Sequence, residues 1–249
     1  MRLTVLGAGP AYTDRPGATG AAYLLQDGDD ALLLDLGQGS FPALAAAIEP
    51  SGLAGIAVSH LHPDHFIDLV PLRHYLRYEF ERPRRVVVHA PKGIDERLDA
   101  LHAEPGFAVT TFDLRPLVPG VRRIGPFTLE TRLVTHTDES YAFRVSLKGG
   151  TGLVYTGDCG RADDVQPLIR EGDVLLAEVS FGPGPAPADA LHLDGRAVGQ
   201  LAARTRPGRV LLTHLLMGFD RAATVAAAEG QWSGPIELVD PGHQTTIEA

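Results

Sequence analysis

The sequence predicts an α/β fold in which mixed β-sheets are covered by helices on their outer faces. Three observations carry that expectation. Short strand-like runs recur along the whole chain, helical patterns lie between several of them, and no stretch has the composition of a linker. At 249 residues the chain is long enough for one large domain or two small ones, and residues 1–249 are expected to form a single domain.

The first strand-like run, Leu3 to Leu6, leads into Gly7-Ala8-Gly9-Pro10-Ala11. A Gly-x-Gly turn after a strand suggests dinucleotide binding, but that motif needs a helix to open at once, and Thr13-Asp14-Arg15-Pro16-Gly17 is turn chemistry that blocks one. A tight turn near the mouth of a site is the expected use. Ala21 to Gln26 and Ala31 to Leu36 are joined by the turn Asp27-Gly28-Asp29-Asp30. A helical pattern near 40–48 precedes the apolar run Gly55 to Ser59, and patterns near 64–78 and 93–103 flank the run Arg85 to His89. Phe127 to Val134, Tyr141 to Leu147 and Gly152 to Tyr155 read as strands, as do Val174 to Glu178, Val210 to Thr213, Ile236 to Val239 and Gln244 to Ile247. Helical patterns near 162–170, 194–204 and 220–229 separate the later runs. The segment Phe181-Gly182-Pro183-Gly184-Pro185-Ala186-Pro187-Ala188 fits neither helix nor central strand and reads as a surface loop beside Glu178.

Composition excludes several function classes. With 22 basic and 31 acidic residues the formal charge is −9, a field that does not favour a nucleic-acid ligand. The one cysteine, Cys159, allows neither an internal disulfide nor a Cys-rich structural zinc site. No apolar stretch approaches the roughly 20 residues needed to span a bilayer, and the first residues pass straight into a strand without a signal-like apolar region. A cytoplasmic protein is expected. Its expected partners are a small-molecule substrate and, in assembly, a second copy of the chain as a homodimer, with no membrane and no nucleic acid.

The most informative segment is Val58-Ser59-His60-Leu61-His62-Pro63-Asp64-His65, which places three imidazoles and a carboxylate on one strand-to-helix loop. Neutral imidazole and carboxylate suit Zn²⁺, with Mn²⁺ or Fe as alternatives, and core packing does not account for so many in one loop. His60 and His62 are two apart and can bind one ion together, whereas Asp64 and His65 start the helix and can point to a second. Such a site needs further ligands. Three candidates follow strands: His136 after Phe127 to Val134, Asp158 after Leu153-Val154-Tyr155-Thr156-Gly157, and His214 after Val210-Leu211-Leu212-Thr213.

The HxHxDH loop, Tyr155-Thr156-Gly157-Asp158 and Leu212-Thr213-His214, in this order, resemble the metallo-β-lactamase fold superfamily over essentially the whole chain. The resemblance implies a four-layer αββα sandwich, two mixed β-sheets flanked by helices, and two divalent ions. The first ion would take His60, His62 and His136, the second Asp64, His65 and His214, with Asp158 bridging them. His74, His89, His102 and His243 fit no slot. Asp35, after an early strand, matches a family position that orders loops near the site.

Within the superfamily the chain resembles the ribonuclease Z-like branch. His136-Thr137-Asp138-Glu139-Ser140-Tyr141-Ala142-Phe143-Arg144 is similar to that branch's third motif, and Leu176-Ala177-Glu178-Val179-Ser180-Phe181 to its His-Glu-Ala-Thr-Phe element, with Ala177 in place of the first histidine. His192 stands where a His-Ser-Thr motif would be, but continues as Leu193-Asp194. The resemblance makes Asp64, His192 and Glu178 the expected catalytic residues, with His192 held by Glu178 as general acid or phosphate contact. Glu178 capping a turn and His192 lying beside the helix N-cap Asp194 remain the structural alternative.

The implied chemistry is hydrolysis by a metal-bridging hydroxide, and a phosphodiester suits it because each ion can neutralise a phosphoryl oxygen. Enzymes of this branch that process tRNA carry a long Gly- and Pro-rich arm between the third ligand and the bridging aspartate. Here His136 and Asp158 lie too close in sequence for an arm, and the interval reads as a hairpin. A small, even cyclic, phosphodiester is therefore expected. The alternatives are an ester, lactone or sulfate ester hydrolase, then a tRNA 3′-processing endonuclease or a metal-binding protein without catalysis. Arg73, Tyr75, Arg77 and Tyr78 on the helix after the first ligand loop are candidates to line a pocket, against the plainer reading of a solvated basic face. The Pro-rich loop from Gly182 to Pro187 is expected to hang over the metals.

Overall fold

The computed structural model describes residues 1–248. Two seven-stranded sheets pack face to face. The first holds β1 (Arg2–Gly7), β2 (Ala22–Asp27), β3 (Asp30–Leu34), β4 (Gly55–Ala57), β5 (Val86–Ala90) and β6 (Phe112–Pro116) side by side in sequence order. The second runs from β7 (Gly120–Ile124) through β8 (Phe127–Leu133), β9 (Tyr141–Leu147), β10 (Gly152–Tyr155), β11 (Val174–Glu178) and β12 (Arg209–Thr213) to β13 (Ile236–Leu238). The last strand, β14 (Gln244–Thr246), crosses back to close the first sheet beside β1. Both sheets are mixed. The pairs β1–β2 and β2–β3 are antiparallel and β3 to β6 parallel, while β7 to β10 are antiparallel and β10 to β13 parallel.

Side-chain alternation along the strands builds the four layers. Tyr23, Leu25, Leu32 and Leu34 face Phe143, Leu153, Tyr155 and Leu176 across the inter-sheet core. Their neighbours Ala22, Leu24 and Leu33 point outward, where they pack under α1 (Phe41–Ala47), α2 (Pro63–Phe66), α3 (Leu69–Tyr78) and α4 (Ile94–His102). On the far side Val154, Leu175, Ala177 and Leu212 pack under α5 (Ala162–Val165), α6 (Gly195–Thr205) and α7 (Arg221–Glu229). Strands buried on both faces read as continuous apolar runs, which is why they were conspicuous in the sequence. Truncating one of these leucines, for example Leu153→Ala, would cost about 2–5 kcal/mol. Among the described residues no helix is long and apolar enough to cross a membrane.

Three local features differ from the expectation. β6 and β7 were not foreseen: each is the edge strand of its sheet, they carry or adjoin Pro116 and Pro119, and their mostly exposed faces leave no clear alternation. The helix expected over 64–78 breaks at Asp68, whose N–H bonds to Leu36 O at 3.1 Å and whose carboxylate accepts the Phe41 N–H at 2.8 Å. The one expected over 162–170 ends as a single 3-10 turn at Gln166–Leu168, where Pro167 has no N–H to continue an α-helix.

A buried ion pair pins the hairpin that carries Asp158. Arg144 on β9 donates from Nε and Nη2 to both oxygens of Asp173, at 2.7 and 2.8 Å, and Asp173 also accepts the Gly152 N–H at 2.8 Å. Removing Arg144 would leave the Asp173 carboxylate buried without a counter-charge, at a cost of about 3–5 kcal/mol.

Candidate metal centre

Every ligand candidate follows a strand, and the strands end at the same rim of the sandwich. Asp35 follows β3, His60 to His65 link β4 to α2, His136 follows β8, Asp158 follows β10, Glu178 closes β11 and His214 follows β12. Pro63 opens α2 with its φ preset and no N–H to leave unpaired. The loop after β3 runs hard against the ligand loop: Leu36 N–H bonds to His65 O at 2.9 Å, and a Cβ at Gly37 would sit 1.9 Å from Asp64 O. Only glycine fits there.

The structure brings all seven candidate ligands together. Donor atoms of His60, His62, His136 and Asp158 converge as one group, and those of Asp64, His65, Asp158 and His214 as another. His62 Nδ1 lies 3.0 Å from both His60 Nε2 and His136 Nε2. His214 Nε2 lies 3.2 Å from Asp64 Oδ2 and 3.3 Å from His65 Nε2. Asp158 belongs to both groups: Oδ2 is 3.7 Å from His60 Nε2 and His136 Nε2, while Oδ1 is 3.4 Å from His65 Nε2 and 3.6 Å from His214 Nε2.

These donors fit divalent cations. Nitrogens bound tetrahedrally at roughly 2.0–2.1 Å lie roughly 3.3 Å apart, the range seen here, and lone pairs facing each other at 3.0 Å repel without a cation between them. Asp158 Oδ1 is buried and has no hydrogen-bond partner, so a carboxylate oxygen points at the histidines unsatisfied.

A second layer of side chains sets the ring tautomers. His65 Nδ1 donates to Asp35 Oδ2 at 2.8 Å, and Asp35 also accepts from Ser59 N, Ser59 Oγ and Tyr155 Oη at 2.6, 2.7 and 2.8 Å. Burial, then the Asp35 charge, holds the Tyr155 phenol far above its ordinary range, so it stays a donor. His136 Nδ1 donates to Leu191 O at 2.8 Å. His214 Nδ1 lies 3.0 Å from Ser180 Oγ, which donates to Glu178 Oε2 at 2.7 Å. Each bond on Nδ1 leaves Nε2 with its lone pair toward the centre. Asp35 and His214 both take left-handed backbone, at φ 58° and 60°, strain of about 1–3 kcal/mol each held at the site by these bonds.

Glu178 is a hub for hydrogen bonds. Its Oε1 accepts from Cys159 N, Leu193 N and His192 Nδ1 at 3.0, 3.0 and 3.1 Å, and its Oε2 from Ser180 N and Oγ. Proximity alone would allow Glu178, His192 and His214 to hold a cation. The carboxylate's acceptor positions are already filled, so it orients His192 and Ser180 instead. Burial lowers the basicity of His192, but the hydrogen bond and charge of Glu178 outweigh it and hold the imidazole above its ordinary value.

The centre opens into a cavity of about 410 Å³. His62, Asp64, Asp158, Ser180, His192 and His214 form its floor, and Pro10, Ala11, Tyr12, Pro63 and Leu216 its walls.

A family model described as the beta-lactamase superfamily domain matches residues 30–215, from β3 to just past His214. The chain belongs to this superfamily. An uncharacterised protein of Mycobacterium leprae is 33% identical over 100% of this chain and 89% of its own length. A ribonuclease Z of Halorubrum lacusprofundi is 30% identical over 97% of this chain and 96% of its own. The solved structure of the metallo-β-lactamase fold protein YhfI from Bacillus subtilis superposes with a TM-score of 0.86 at 24% identity, covering 98% of this chain and 99% of that one. The superfamily's metallo-β-lactamase fold is thus the one seen here.

Two expectations about the surroundings are corrected. The Pro-rich loop does not reach the cavity: Gly182 O accepts the Gly195 N–H at 2.7 Å and Asp194 Oδ2 the Ala186 N–H at 2.7 Å, so the loop is fastened onto the start of α6. Arg73, Tyr75, Arg77 and Tyr78 do not line the cavity either. Arg73 is buried with its guanidinium 4.0 Å over the Phe107 ring, and Tyr75 Oη bonds to Glu49. The Gly-x-Gly turn does sit at the mouth. Sequence reasoning misses Ser59, Tyr155 and Ser180, whose one signal is a hydroxyl in or just after a buried strand.

Proposed function

We propose that this metal-dependent hydrolase of the β-lactamase superfamily cleaves small phosphodiesters, with two divalent ions, most simply Zn²⁺, held by His60, His62, Asp64, His65, His136, Asp158 and His214. The observation that carries the reading is His192 on the floor of the same cavity as Asp158, its Nδ1 tied to Glu178 at 3.1 Å. A metal store needs no such group; a hydrolase with an oxygen leaving group does.

Bound divalent ions supply an activated water and neutralise the phosphoryl oxygens. The chain does the rest. Asp158 and Asp64 would hold the cations, and Glu178 holds His192 so that Nε2 is the free nitrogen, raised in basicity and able to hand a proton to the departing alkoxide. Ser180 ties the same Glu178 to His214, so the acid and the metal ligands share one support.

Substrate size is read from what the chain lacks. The alignment with the Halorubrum ribonuclease Z extends over 301 positions against 249 residues here, so at least 52 positions of that relative face none of this chain. The interval from His136 to Asp158 holds only the β9–β10 hairpin. A tRNA grip needs several phosphate contacts, and neither an arm nor the net charge offers them.

Zinc-loaded protein should turn over bis(4-nitrophenyl) phosphate and cyclic phosphodiesters, and process precursor tRNA negligibly. Turnover of lactones with none of phosphodiesters would transfer the site to carboxylic ester chemistry. Efficient removal of a tRNA 3′ trailer, with affinity falling about 10³- to 10⁵-fold between 50 and 200 mM salt, would restore the nuclease reading.

A further inference from the structure

One wall of the cavity, Pro10 to Tyr12, is built from the turn after β1. This turn is held at several points. His214 N–H bonds to Ala8 O at 2.9 Å, Gly9 N–H to Thr19 O at 2.7 Å, and Gln38 Nε2 to Pro10 O at 3.2 Å. A Cβ at Gly7 would lie 1.9 Å from Gly20 O, so the close approach of the two loops depends on glycine there. The wall is therefore tied through backbone to a ligand residue, His214, and keeps a fixed distance from the centre.

Tyr12 stands at the end of that turn. Its side chain lines the cavity yet remains 61% exposed, and among the described residues it has no hydrogen bond and no aromatic neighbour. An amphipathic ring left open over a catalytic floor, with Pro10 and Leu216 beside it, is a platform for a planar group. The charge lining is equally specific. Among the described residues no lysine or arginine lines the cavity, and the nearby Arg15 donates Nη1 to Leu215 O at 3.2 Å.

Resting on the phosphodiesterase reading, we propose that the substrate is a monoanionic diester with an aromatic or heteroaromatic arm, and that Tyr12 is the specificity-determining residue that stacks on this arm. Dialkyl esters without such an arm are disfavoured, having nothing to place on the ring. Tyr12 binds the substrate at a distance from the reacting phosphorus, so it acts on affinity more than on the chemical step.

Binding of two stable monoanions to the zinc-loaded protein tests this without turnover. Calorimetric titration should show diphenylphosphinate binding more tightly than dimethylphosphinate. Tyr12→Ala should weaken the former by roughly 3- to 10-fold, leave the latter within about twofold, and Tyr12→Phe should restore the difference. In kinetics, Tyr12→Ala should raise KM for bis(4-nitrophenyl) phosphate with little change in kcat. Equal weakening of both phosphinates, or none, would overturn the role of Tyr12 while phosphodiester turnover by the wild type kept the underlying reading intact. Failure of both phosphinates to bind, with no phosphodiester turned over, would overturn the two together.

Discussion

The two halves of the ligand cluster are built differently. In the first, His136 Nδ1 is held by a carbonyl, His60 Nδ1 lies 3.1 Å from Ser59 Oγ, which donates to Asp35, and His62 is exposed. Asp64, His65 and His214 are buried and backed by carboxylates, Asp35 directly on His65 and Glu178 through Ser180 on His214. Basicity follows the same division. Burial holds His60, His62 and His136 below the ordinary histidine value. Burial also opposes charge on His65 and His214, but Asp158, with Asp35 or Asp64, more than offsets it and raises both. A carboxylate behind an imidazole makes it a stronger donor, so the second half should hold its cation by donor strength and the first by geometry. His192, the acid proposed above, leans on the same Glu178, on the side of the second half.

The comparison breaks outright if Asp158 does not join the halves. Asp158→Ala removes a donor from both groups, and metal content by elemental analysis should fall below two ions per chain. Activity should drop by more than the 10- to 100-fold typical of losing an outer partner. Undiminished dinuclear occupancy would separate the halves and end the bridging assignment. His192→Ala probes the chemistry alone: metal content should stay intact while turnover falls roughly 10²- to 10⁴-fold, less for nitrophenolate than for alkoxide leaving groups. An equal loss for both leaving groups would make His192 a phosphate contact. Asp35→Asn sharpens the contrast next, since Asn tolerates the left-handed backbone at this position but cannot act as an anion behind His65. Titration with Zn²⁺ should show one binding step weakened about 10- to 100-fold and the other largely retained. Two steps weakened alike would show that Asp35, through Ser59, supports both halves.

The ligand cluster was legible in the sequence because its chemistry is local: four donors fall within His60 to His65, and the others follow apolar runs that only buried strands explain. The layer order was legible for the same reason, the central strands being apolar on both faces. What escaped depends on distant contacts. β6 and β7 are edge strands whose pattern is blurred by exposure and proline. The Pro-rich loop is captured by Asp194 and Gly195 rather than by the metal site, and nothing in its own composition distinguishes the two. The wall carrying Tyr12 is set against His214 by the Ala8–His214 bond, between residues some two hundred positions apart, which no local window contains.

The smallest expected effect concerns the support of the first half. β5 lies beside β4, which delivers His60 and His62, and Val58 N–H bonds to His89 O at 2.8 Å. His89 is half-buried with Nδ1 unpartnered, and burial, aided by Arg122 and Arg115, pushes its pKa down to about 4 from the ordinary 6.5. Folded His89 thus stays neutral where the unfolded chain takes up a proton. Between those values the unfolded state binds more protons, so stability falls as pH is lowered from about 6.5 toward about 4 and is unaffected by this group above that window. Replacing His89 with Gln, uncharged throughout, should remove this part of the acid loss. Urea midpoints of chelator-treated protein at pH 7.5 and 5 provide the measurement, because removing the metal leaves the ligand histidines to titrate equally in both proteins. Wild type should lose more between the two pH values than His89→Gln, and parallel declines would show that His89 carries no proton-linked cost.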